Sequence, residues 1–145
     1  MAFPEPQPGL VIRYSYQWWN QARRGQEEGE KDRPCAIILT VLEADGRKRV
    51  LLAPITHTPP GDPARAVELP IATKKRLGLS DRPSWVITDE LNRFTWPGPD
   101  VRPAEPGRFA KIEFGLLPAA LFEEIKTQIR ANAKIAATKT VNRDA

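Results

Sequence analysis

CAIILTVLEADGRKRVLLAPIT, residues Cys35 to Thr56, is the stretch that decides the fold. Two apolar runs, CAIILTVLE and KRVLLAPIT, flank Ala44-Asp45-Gly46-Arg47. Asp-Gly is the favoured pair for a tight type I′ hairpin turn, in which both central residues take positive φ. Both runs are apolar on both faces. The hairpin is therefore expected in the centre of a sheet that curls over a core.

Outward from the hairpin, LVIRYSY (residues 10–16) has the β-branched and aromatic content of a first strand. QWWNQARRGQEEGEKD, polar and broken by glycines, reads as a long loop. Beyond the hairpin, HTPPGDPA is a proline-rich loop and AVELPI a short strand. ATKKRLGL reads as one or two helical turns closed by Gly78. SWVITDEL, residues 84–91, reads as one strand, FTWPGPDVRPAEPGR as a second proline-rich loop and FAKIEFG as the final strand.

LPAALFEEIKTQIRANAKI is the long helix. Pro118 suits its first turn. Leu117, Leu121, Phe122, Ile125, Ile129 and Ala133 make an apolar stripe at helical spacing. Glu123 and Glu124 precede Lys126, Arg130 and Lys134, as the helix dipole favours. Residues 138–145 are expected to fray. No strand–helix–strand alternation points to parallel pairing. The expectation is a mainly β protein with α-helix, a small curled antiparallel barrel capped by the C-terminal helix.

Composition bounds the function. The chain has 145 residues, 41% hydrophobic and 28% charged, which suits one ordinary globular domain. Its 15 prolines favour short elements joined by stiff turns. The single cysteine, Cys35, excludes an intrachain disulfide and lies in an apolar run, as a small buried hydrophobe does. MAFPEPQPG lacks the basic start and apolar core of a signal peptide, and no apolar stretch nears the ~20 residues that cross a bilayer. A cytoplasmic protein is expected, with no membrane partner. The net charge of +4 permits a polyanionic partner without requiring one.

Several chemistries find no residues to carry them. No GxxxxGK[ST] or GxGxxG loop is present, and one histidine with one cysteine does not make a usual zinc site. No nucleophile elbow surrounds a serine. What remains is a polar set at strand ends. Arg33 opens the first hairpin strand, while Thr56 and His57 end the second. In an antiparallel hairpin these ends are neighbours, given a bulge or small offset. Asp89 and Glu90 end a later strand and can share that edge.

An arginine at the threshold of a core calls for an anionic partner, because it cannot give up its charge. Phosphoryl chemistry on RNA suits this set. The ribose 2′-hydroxyl attacks its own 3′-phosphate, so the protein need only move protons and neutralise charge on the phosphate. An Arg fork grips phosphate oxygens, a Thr hydroxyl donates to another, and a carboxylate or histidine serves as base.

KDRPCAIIL, VLLAPITHTPP and WVITDELNRF, in that order, resemble segments of the MazF/PemK (Kid) toxin family. The likeness runs from about Gly9 to the terminal helix. It implies an SH3-like barrel, a homodimer, no cofactor, and metal-independent, sequence-selective cleavage of single-stranded RNA restrained by a cognate antitoxin. By the same resemblance Arg33 and Thr56 are catalytic and Asp89 stands at an acidic position of the later segment, with Asp89 or His57 moving the proton. Asn92 replaces an arginine that the family pattern leads one to expect, with Arg93 one place on. The loop before Arg33 lacks a histidine that some relatives carry, and a WPGPD loop is extra.

Each of these residues has a plainer reading. Arg33 can cap an ion pair with Asp32 or Glu90, Thr56 can satisfy a turn amide, and His57 can be a loop residue facing the other way. Trp18 and Trp19 can stack bases while Arg23 and Arg24 follow phosphates, with Lys31, Asn92 and Arg93 adding contacts. Alternatively a tryptophan plugs the barrel and the arginines offset Glu27, Glu28 and Glu30. At the level of function the alternative is a non-catalytic protein-binding member of the same fold, or a basic module that binds nucleic acid without cutting it.

Overall fold

A computed structural model describes residues 3–23, 32–104 and 111–144. In chain order the strands are β1 (Leu10–Ser15), β2 (Asp32–Leu42), β3 (Lys48–Thr56), β4 (Ala66–Glu68), β5 (Trp85–Ile87), β6 (Glu90–Thr95), β7 (Val101–Arg102), β8 (Glu113–Leu116) and β9 (Lys139–Asn142). The helices are α1 (Trp19–Arg23), α2 (Ile71–Leu77) and α3 (Ala119–Lys134).

The hairpin forms the centre of a nine-stranded sheet whose main path runs β4-β5-β3-β2-β1-β7. Its two-sided apolar pattern has a direct cause. Ala36, Ile38, Ala53 and Ile55 pack with Leu121, Phe122, Ile125 and Ile129 of α3 in one core. Their alternating neighbours Cys35, Ile37 and Leu52 pack with Ile12, Tyr14, Tyr16 and Phe94 in a second core. Both faces are buried only in the half remote from the turn. Near the turn Leu39, Val41 and Leu42 are exposed.

The turn differs from the expected type I′. Only Gly46 has positive φ, at 85°, while Asp45 does not. The Gly46 N–H donates to the Glu43 carbonyl and the Glu43 N–H to Arg47, so the loop is a turn closed by a left-handed glycine. The Asp45 carboxylate accepts the Arg47 N–H at 3.0 Å, an Asx arrangement that does not need Asp45 in the left-handed region.

Four further expectations are corrected. The polar stretch after Tyr16 contains a helix, α1, because Gln21 reaches back to accept the Trp18 N–H at 3.0 Å. Residues 84–91 are not one strand. Thr88 and Asp89 leave the ladder, so β5 pairs with the end of β3 and β6 with its beginning. That excursion is anchored by Asn132 of α3, whose amide donates to the Thr88 carbonyl and hydroxyl at 3.1 Å each. Asn132, not Ala133, therefore completes the buried face of the helix. The second proline-rich stretch contains β7, which pairs with β1.

The largest correction concerns the tail. Residues 139–142 form β9, parallel to β6, where fraying and an absence of parallel pairing were expected. Backbone pairing does not close the sheet into a barrel. Side chains instead bridge β6 and β9 to the end of β1. Buried Asn92 accepts the Gln17 N–H at 2.9 Å and donates to the Gln17 carbonyl at 2.8 Å, imitating a ladder pair. Arg143 donates to the Ser15 carbonyl at 2.6 Å and pairs with Asp100 at 3.1 Å. No helix among the described residues is long and apolar enough to cross a membrane.

Candidate functional site

Arg33 and Thr56 meet because β2 contains a bulge. Cys35 pairs with Pro54 and Ile37 with Leu52, but Leu39 pairs with Leu51, so the register shifts around Ile38. Continued past Cys35, the register on the side remote from the turn sets Arg33 opposite Thr56. Both line one groove of about 720 Å³, together with Trp18, Asp32 and His57.

Arg33 is held without an ion pair to any carboxylate among the described residues. Its guanidinium carbon lies 4.9 Å from the Trp18 ring centroid, and Nη1 makes a long 3.4 Å bond to the Ile55 carbonyl. Nε is buried and has no hydrogen-bond partner among the described residues. Its two plainer partners are engaged elsewhere. Asp32 faces Arg102 at 3.7 Å, and Glu90 accepts from Trp19 and Tyr16. The neighbouring Thr56 hydroxyl accepts the Thr58 N–H at 3.2 Å, which leaves its own proton free to donate.

His57 does not point away from Thr56, as an unbroken strand would require. The chain bends there, and Nδ1 lies 3.0 Å from the Pro83 carbonyl. A carbonyl only accepts, so the neutral ring carries its proton on Nδ1 and leaves Nε2 as the acceptor. That tautomer leaves Nε2 able to accept a proton.

Asp89 is absent from the groove lining. Its carboxylate pairs with Arg65 at 2.9 Å, drawn there by the Thr88–Asp89 excursion. Asn92 is fully buried and bonded to Gln17, so it offers nothing to RNA. Trp18 lies under Arg33 and also packs on the second core, so both readings of a tryptophan meet in one residue. Trp19, Arg23 and Arg93 do not line the groove. Arg24 and Lys31 lie outside the described residues.

Sequence reasoning missed Arg13 and Arg82, which join Arg33 in the groove; among the described residues Asp32 is the one carboxylate on its lining. Arg13 carried the same signal as Arg33, a charge within an apolar strand. Ser80 and Arg82 sit in a loop with no periodicity to mark them. Cys35 is fully buried and burial pushes its thiol up, so it is inert packing.

Glu90 secures the approach to the site. It accepts the Trp19 N–H at 2.8 Å and the Tyr16 hydroxyl at 3.1 Å, tying α1 and Trp18 to β6. Burial holds its carboxyl above the usual carboxylate range, against the opposing pull of those donors. The folded state therefore binds the proton more tightly than the unfolded state. Its contribution is complete below the ordinary carboxylate value and is lost as pH rises through the raised one. Glu90→Gln keeps an acceptor for both donors and removes this loss. Urea midpoints measured from pH 4 upward should fall less steeply for the variant than for the parent across that window. Parallel curves would contradict the assignment.

Comparison with protein-family models and with curated proteins finds no match for this chain.

Proposed function

We propose that this protein is an endoribonuclease of the MazF/PemK kind, the toxin of a type II toxin–antitoxin pair, acting on single-stranded RNA. The carrying observation is that Arg33, Thr56 and His57 line one arginine-rich groove, with no carboxylate neutralising Arg33 among the described residues. His57 Nε2 takes the proton of a ribose 2′-hydroxyl. The 2′-oxygen attacks the adjacent phosphorus, and the bond to the 5′-oxygen breaks as that oxygen takes a proton from water. Arg33 and the Thr56 hydroxyl stabilise the charge that grows on the non-bridging phosphate oxygens. A 2′,3′-cyclic phosphate results.

The same reading includes an SH3-like barrel closed by side chains rather than by backbone pairing. It also includes a homodimer and a cognate antitoxin whose disordered acidic segment competes for the groove. The test is end-labelled single-stranded RNA of varied sequence incubated with the protein in EDTA. Discrete fragments ending in cyclic phosphate or the derived 3′-phosphate are expected. A 2′-deoxy substitution at the cut site should abolish that cut. Intact RNA from folded protein freed of any bound partner would overturn the reading in favour of a protein-binding member of the fold. Salt-sensitive RNA binding without products would favour a simple nucleic-acid module.

A further inference from the structure

Lys74, in α2, is 2% exposed, and the chemistry above makes no use of it. A methionine would fill similar space without the cost of burying an ammonium, so the charge needs a reason. Its Nζ donates to the Arg82 carbonyl at 2.7 Å and to the Asp81 carbonyl at 3.3 Å. The main-chain carbonyl of the same residue accepts the Leu79 N–H at 2.9 Å, just past the left-handed Gly78 that ends α2. One residue thus holds the 79–82 loop at both ends.

That loop supplies one wall of the groove, including Ser80 and Arg82. It continues into Pro83, whose carbonyl faces His57 Nδ1. Lys74 itself does not line the groove. Drawing two consecutive carbonyls onto one ammonium turns the chain at Asp81–Arg82, and this turn sets the direction of the next carbonyl, that of Pro83.

We infer that Lys74 is a positioning residue whose ammonium shapes the 79–83 loop so that Pro83 selects the Nδ1–H tautomer of His57 and Arg82 reaches the groove. The kinetic consequence rests on the proposed ribonuclease reading; the link from Lys74 to the His57 tautomer does not.

The chain has one histidine, so its imidazole nitrogens are read by NMR without ambiguity. In the parent, above the imidazole titration, Nδ1 should carry the proton. Folded Lys74→Met should shift the ring toward the Nε2–H tautomer that free imidazole side chains prefer. On RNA, kcat should fall about a hundredfold, the scale of a 1 Å misplacement, with a smaller rise in KM. Lys74→Gln keeps a shorter donor and should give intermediate values. It also carries the test if Lys74→Met does not fold.

In the unmodified protein the Lys74 ammonium should give a slowly exchanging signal, as a donor held by two carbonyls does. A freely exchanging ammonium, or a folded variant that retains the parent tautomer, overturns the inference. If the parent leaves RNA intact, the ribonuclease reading falls while the tautomer result still decides the role of Lys74.

Discussion

Arg33→Ala should cut single-stranded RNA at least about a thousandfold more slowly than the parent while remaining folded. Both halves follow from its surroundings. In the proposed reading, Arg33 lines the groove, stacks on Trp18 and pairs with no carboxylate among the described residues, so it meets the phosphate rather than holding the fold. Its removal costs the protein little, about 0.5–2 kcal/mol for the lost cation–π contact. The effect on a transition state that spreads negative charge over phosphate oxygens is larger. Removing one well-placed donor typically costs a factor of 10²–10³, or about 3–4 kcal/mol, and arginines on transferring phosphoryl groups reach further.

Arg33→Lys restores the charge without the planar fork and should recover only part of the rate. Single-turnover cleavage in EDTA, paired with a urea midpoint, separates the two effects. An alanine variant that cleaves as fast as the parent would return Arg33 to a structural role. One that loses activity and several kcal/mol together would make the kinetic loss uninformative about chemistry.

Asn92→Ala should be the most damaging of the polar substitutions for stability, by about 4 kcal/mol, with no direct effect on the groove. Its amide satisfies both the N–H and the carbonyl of Gln17, and its oxygen also lies 3.3 Å from Arg143 Nη1. Truncation leaves the Gln17 N–H and carbonyl without their partner, and each such group costs about 1–3 kcal/mol when buried. Asn92→Asp separates shape from donors, since it can accept from the Gln17 N–H but cannot donate to its carbonyl. The measurement is denaturant unfolding with unchanged m-value. A loss below about 1 kcal/mol would mean that water replaces the amide and that the junction between β1 and β6 does not depend on it.

These two residues also mark where the sequence was legible and where it was not. The central hairpin could be read because its signals are local: two apolar runs, an Asp-Gly between them, and a length that sets their pairing. Counting outward from the turn also led to Arg33 and Thr56, provided a bulge intervened, and the register shift near Ile38 supplies it. His57 lay next to Thr56 in sequence, but its direction depends on a carbonyl 26 residues away, which no local pattern encodes.

Asp89 looked like a base because it ends an apparent strand. Asn132 and Arg65, brought close only by folding, draw that segment off the ladder and take the carboxylate away. The tail read as frayed on the general behaviour of terminal segments, whereas Lys139–Asn142 is held by pairing with β6 and by buried Val141.

The sequence by itself determined a β-rich protein with a central hairpin, a C-terminal amphipathic helix and an arginine at a strand threshold. Those features depend on period, turn chemistry and charge within a few residues. Tertiary structure alone decided that Asn92 and Arg143 bridge the sheet, that Arg13 and Arg82 share the groove with Arg33, and that a buried Lys74 shapes the loop facing His57. Hydrogen bonds and ion pairs of this kind act over a few ångströms between residues tens of positions apart. Their partners are chosen by how the two cores pack, which composition and spacing along the chain do not record.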